Sequence, residues 1–161
     1  MRRFIGLVAV LGMILMVQEA QAEPFAKPDL IRFGASTADM QAALQGKCAK
    51  SVLRDIVPPF LPRVKDRQVQ IDCDGFPFMG KPRWAEFVIG DDRLQMVWIM
   101  TDKSEEATLY AAMVEAYGAP THRNAQYDAF TQVRAALRKD RAEILFYAAE
   151  LDGDMPEFSE P

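Results

Sequence analysis

The sequence is poor in the residues from which catalytic and metal sites are most often built: it has one histidine and two cysteines in 161 residues. A structural or catalytic zinc site draws three or four ligands mainly from those two types, so no metal is expected. The lone His122 follows a helix-ending Gly-Ala-Pro in Pro120-Thr121-His122-Arg123-Asn124, where a loop residue is a better reading than a general base. Nucleophile-elbow, zinc-protease and phosphate-cradling glycine motifs are all missing, so no cofactor is expected and a hydrolytic enzyme is the third and least favoured reading. Positive charge is outweighed, with 19 Lys and Arg against 23 Asp and Glu. The formal net charge is −4, without the basic stripe that nucleic-acid binding requires. Beyond the N-terminal run no second long apolar stretch occurs, so no membrane insertion is expected after that run is removed.

Acidic residues are present, but in places where turns use them. Asp72 and Asp74 bracket Cys73, Asp91-Asp92 follow Gly90, and Asp152-Gly153-Asp154 opens the C-terminal tail. Asp in such positions accepts backbone hydrogen bonds, and calcium-loop spacing is not found.

The N-terminus sets the compartment. Met1-Arg2-Arg3 is a positive start, Phe4 to Val17 is apolar, and Ala20-Gln21-Ala22 supplies small residues for cleavage. This is the layout of a secretory signal peptide over 1–22, cut between Ala22 and Glu23, and it predicts a periplasmic or secreted protein. The remainder divides into a single domain over 23–150 and an acidic tail over 151–161. In an oxidising compartment, an even pair of cysteines predicts a Cys48–Cys73 disulfide.

The strongest local signal is Arg83 to Thr101, RWAEFVIGDDRLQMVWIMT. Two runs of β-branched and aromatic residues flank Gly90-Asp91-Asp92, which predicts an antiparallel hairpin. Strict alternation puts Ala85, Phe87 and Ile89 on one face and Trp84, Glu86 and Val88 on the other. In the second strand it opposes Leu94, Met96, Trp98 and Met100 to Gln95, Val97 and Ile99. Since neither face is polar, the hairpin needs cover on one side and partial cover on the other.

Around it, Leu30 to Phe33 reads as a short strand. Ser36 with Asp39 begins a helix carrying Met40, Ala43, Leu44 and Cys48 at helical spacing. Val52 to Ile56 continues a helical turn, whereas Val57-Pro58-Pro59-Phe60-Leu61-Pro62 is barred from a helix interior and forms a loop. Val69 to Cys73 alternates as a strand. Thr101 or Asp102 caps a second helix with the stripe Tyr110, Met113, Val114, Tyr117, closed by Gly118 and Pro120. Phe130, Val133 and Leu137 fit either a helix face or a strand. With Ile144 to Tyr147 beyond Lys139-Asp140, the segment is read as a second hairpin.

The fold expected is therefore α+β, an antiparallel sheet of five to six strands with two helices on one face, ordered as helix then hairpin, twice. Phe33-Gly34-Ala35-Ser36-Thr37-Ala38-Asp39-Met40 with Leu44, and Tyr117-Gly118-Ala119-Pro120 closing the second helix, resemble the helix boundaries of the β-lactamase-inhibitor-protein-like fold. Small exported inhibitor modules and a small lipoprotein of the outer-membrane assembly machinery share it. The resemblance implies helices packed on one face of an antiparallel sheet. It implies no particular function, since the lipoprotein cysteine has no counterpart here and no inhibitor loop can be matched.

What remains is apolar. Phe60, Leu61, Phe76, Phe78, Trp84 and Trp98 cluster around the hairpin and form the candidate binding surface. Two functions follow from it. The first is a non-enzymatic module that binds another envelope or secreted protein through the uncovered sheet face and the Pro58 to Pro62 loop. The second is a carrier of a small apolar ligand, held among aromatics between sheet and helices.

Overall fold

The computed structural model describes residues 24–153, so the leader, its cleavage site and most of the acidic tail lie outside the described residues. The Ser36 hydroxyl accepts the Asp39 amide at 3.1 Å and starts α1 (Thr37–Ala43). Four strands follow: β1 (Lys50–Asp55), β2 (Gln68–Phe78), β3 (Lys81–Gly90) and β4 (Arg93–Met100). Asp102 and Glu105 then close a reciprocal capping box on a single 3₁₀ turn that runs into α2 (Glu106–Tyr117). Gly118 ends that helix with φ +82°, a left-handed value that favours glycine. Four more strands complete the chain: β5 (His122–Arg123), β6 (Tyr127–Phe130), β7 (Ala135–Arg138) and β8 (Glu143–Tyr147).

All eight strands form one antiparallel sheet in the order β1-β2-β3-β4-β8-β7-β6-β5. Each helix is thus followed by a four-stranded meander, and the two meanders meet last strand to last strand along β4 and β8. The α+β class matches the sequence reading, but the sheet is larger. Leu30 to Phe33 forms turns rather than a strand. Val52 to Ile56, expected to be helical, lies in and beside β1. The Cys48–Cys73 disulfide anchors the chain against β2, and Ser51 then pairs with Cys73 along the ladder. Backbone pairing at a ready sheet edge outweighs a weak local helix preference. Val133 sits in a 3₁₀ turn before Arg134, whose φ is +52°, so the strand expected to include it begins at Ala135.

The central hairpin forms where expected, with one correction to its faces. Asp91 (φ +47°) and Asp92 (φ +56°) supply the two left-handed residues of a type I′ turn. Val88 pairs with Met96 but Ile89 pairs with Leu94, which leaves Gln95 as a bulge. The extra residue reverses the alternation. Leu94 therefore joins Val97 and Ile99 under the helices, while Met96 and Trp98 keep the opposite face.

Both helices cover one face of the sheet. Met40 and Leu44 at α1, and Leu109 and Met113 of α2, pack in the same core as Ile71, Phe87, Ile89, Ile99 and Phe146. The segment ahead of α1 lies there too, with Phe25 edge-on to Phe78 at 5.6 Å and to Tyr117 at 5.5 Å. Burying each such ring contributes roughly 1.5–3 kcal/mol. The opposite face is covered only in part, by Leu61 and Val64 of the β1–β2 loop and by Leu151.

That loop is fixed by its polar contacts. The Gln68 side-chain oxygen accepts the amides of Phe60 (2.9 Å) and Leu61 (2.8 Å). The Asp91 carboxylate accepts those of Lys65, Asp66 and Arg67, and these bonds hold its pKa below the usual carboxylate range. The approach is close enough to require glycine at position 90, because a Cβ there would lie 2.5 Å from Val64 Cγ2. Gly90→Ala is expected to cost about 2 kcal/mol by overpacking. Urea unfolding of Gly90→Ala with and without Val64→Ala checks this: the second change should recover part of the loss, and strict additivity would show that the loop is not pressed onto Gly90.

Candidate functional surface

On the partly covered face, beyond the reach of Leu61 and Val64, lies an open groove of ≈ 430 Å³. Its floor comes from the central strands, with Gln70 of β2, Glu86 of β3, and Trp98 and Met100 of β4. Phe60 stands at one side, and Arg138, Arg141 and Glu143 from the β7–β8 hairpin stand at the other. Strand alternation brings these residues together. Trp98 pairs with Glu86 and Met100 with Glu143, so residues from both meanders converge across the β4–β8 joint.

The charges of the groove are largely organised by one arginine. The Arg138 guanidinium lies over the Trp98 ring, 5.2 Å from its centroid. It also pairs with Glu143 at 3.1 Å and with Asp140 at 3.2 Å. Burial pushes the Glu143 carboxyl up. Glu86 takes a hydrogen bond from the Trp84 indole at 3.2 Å. Aromatic rings are thus interleaved with both signs of charge.

The six residues expected to form the surface divide. Phe60 is 56% exposed and Trp84 42% exposed, and Trp98 is half-buried in the groove. Leu61 is on the same face but buried, where it anchors the loop. Phe76 and Phe78 do not belong to the surface: they are 0% and 5% exposed in the helix-side core. The reason is a register shift between Cys73 and Phe76, at Gly75, which keeps both rings turned toward the helices. Met100, Arg138, Arg141 and Glu143 were not identified from sequence. The Arg138–Glu143 pairing across the expected second hairpin was the available signal, a pair of opposite charges flanking its turn.

Of the acids considered for chemistry, Asp72, Asp91, Asp92 and Asp152 have structural partners. Asp72 is buried, held by Arg54 in a two-pronged ion pair (2.5 and 3.0 Å) and by the Gln70 side-chain amide at 2.7 Å. Asp92 accepts the Thr37 amide at 2.8 Å, which joins the hairpin turn to α1 and lowers its pKa. His122 lies in β5 with Nδ1 3.2 Å from the Thr121 hydroxyl. Among the described residues no three His, Cys, Asp or Glu side chains come together as a metal-binding group, and no helix is long and apolar enough to cross a membrane. No family model matches the chain, and no curated protein or solved structure matches it.

Proposed function

We propose that the chain is an exported, non-catalytic envelope module that binds another envelope or secreted protein through this groove. The carrying observation is the company Trp98 keeps. An accessible tryptophan, two more exposed aromatics (Phe60 and Trp84), Met100 and two arginines share one open surface. Trp and Arg are enriched among the residues that dominate protein interfaces, and Met and aromatic side chains make up the apolar centres of such patches. The groove is open and rimmed by charge, which suits a protein segment with mixed polarity better than an enclosed apolar ligand. The aromatic rings on the helix side pack against one another instead. The disulfide favours export. The helix-then-meander order, seen twice, supports kinship with the β-lactamase-inhibitor-protein-like modules and a repeated origin for the two halves.

The test is quantitative recovery from envelope extract on immobilised protein, comparing wild type with Phe60→Ala plus Trp98→Ala. A specific partner should be lost by about tenfold or more in the double variant, because central aromatic truncations cost about 2 kcal/mol or more. Thermal melting of both proteins controls for folding. Equal recovery by a folded double variant would remove the groove as the contact surface.

A further inference from the structure

The two ends of the sheet are unlike. β5 is a two-residue strand, too short to template another chain. β1 has six residues, all exposed, with neither proline nor a bulge, and Val52 and Leu53 at its centre are 38% and 40% exposed. Edge strands are normally guarded by such devices or by charged side chains, and β1 carries only the latter, Lys50, Arg54 and Asp55, whose signs decide which strand can pair with it.

Its hydrogen-bonding side can be assigned. Ile56 donates to the Gln68 carbonyl at 2.9 Å in the register that pairs Val52 with Asp72 and Arg54 with Gln70. Even-numbered residues of β1 therefore form the hydrogen-bonded pairs with β2, and the N–H and C=O groups of Ser51, Leu53 and Asp55 point away from the sheet. We propose that β1 pairs antiparallel with β1 of a second copy of this chain, about a two-fold axis at Leu53.

The charge pattern selects both the occupant and the register. A two-fold axis at Val52 would set Lys50 opposite Arg54 of the other copy, and one at Arg54 would oppose the two Arg54 side chains. Like charges directly opposed destabilise a sheet. The axis at Leu53 avoids both. It brings the two Leu53 side chains together, sets Ser51 opposite Asp55 in each half, and places Val52 beside Arg54. Of these three central registers only the one at Leu53 is self-complementary, which is what a two-fold interface requires. Pairing continues each sheet face into the same face of the other copy, so both grooves open on one side of the dimer.

The test is sedimentation equilibrium of the native, disulfide-bonded protein. Wild type should show twice the monomer mass at tens of micromolar, in keeping with a contact smaller than a standard interface. Leu53→Lys, which sets two cations across the axis, should raise the dissociation constant by at least about tenfold with an unchanged melt. A wild type that stays monomeric at hundreds of micromolar, or a dimer indifferent to Leu53→Lys, overturns the proposal. Hydrogen exchange of wild type gives an independent reading without substitution. The amides of Ser51, Leu53 and Asp55 should slow as concentration rises, and concentration-independent exchange overturns the pairing.

Discussion

Replacing both cysteines with serine is expected to lower stability by about 3 kcal/mol. Cys48 and Cys73 are 25 positions apart in sequence, and a crosslink closing a loop of that size removes about that much chain entropy from the unfolded state. The structure adds a second cost. Cys73 is fully buried between Ser51 and Ala85 in the register of β2, so a serine there must bury a hydroxyl without an assigned partner. Against the marginal stability of a domain this size, the loss should lower Tm by about 10 °C. Thermal unfolding of the double serine variant, and of wild type with and without reductant, measures it. A reduced wild type that melts with the oxidised protein would show that the short α1 and the edge strand are held by packing alone.

Glu105→Ala should cost about as much, about 3 kcal/mol, for a different reason. The Arg83 side chain is only 5% exposed, and its guanidinium is neutralised by Glu105 through contacts of 2.8 and 3.1 Å. Lys81 binds the same carboxylate at 2.6 Å, and the Asp102 amide donates to it at 3.1 Å. Truncation strands a buried cation and opens the capping box ahead of α2. Arg83, then Lys81, hold the Glu105 carboxyl down at about 2, against an ordinary value of 4.5. A folded-state pKa below the unfolded one means the stabilisation is complete above about pH 4.5 and is lost as pH falls toward 2. Glu105→Gln should therefore flatten stability against pH between those values, as read by urea midpoints. Removing Arg83 as well, in Arg83→Met plus Glu105→Ala, should restore part of the loss, since no charge then remains buried alone. A double variant as unstable as the sum of its singles would place the effect in the helix cap.

How much of this was legible in the sequence depended on whether a signal was local. The Gly90-Asp91-Asp92 turn, the Ser36 cap and the Gly118 stop are written within a few residues, and each stands where it was expected. The disulfide was legible from the even cysteine count together with the export expected from the N-terminal run. β1 was not, because Lys50-Ser51-Val52-Leu53-Arg54-Asp55 carries little preference of its own and becomes a strand by pairing with a neighbour already in place. β5 and β6 were missed for a similar reason: two and four residues give too short a pattern to show a period. The bulge at Gln95 and the register shift near Gly75 are invisible to strict alternation, and they are why Leu94, Phe76 and Phe78 changed face. Of the candidate surface, Phe60, Trp84 and Trp98 were legible as aromatics without cover. Arg138, Arg141 and Glu143 were not, since they reach the groove only through the long-range pairing of β4 with β8.

That joint also orders events in time. Within each meander the strands pair with near neighbours in the chain, whereas Met96 must wait for Tyr147 before the centre of the sheet can close. Contacts between distant residues form late because a long loop must be closed first. The first helix, its four strands and both cysteines are complete by Met100. As an exported chain enters an oxidising compartment, that half can assemble and seal its crosslink ahead of β8, and it then presents β4 as the docking edge for the half that follows.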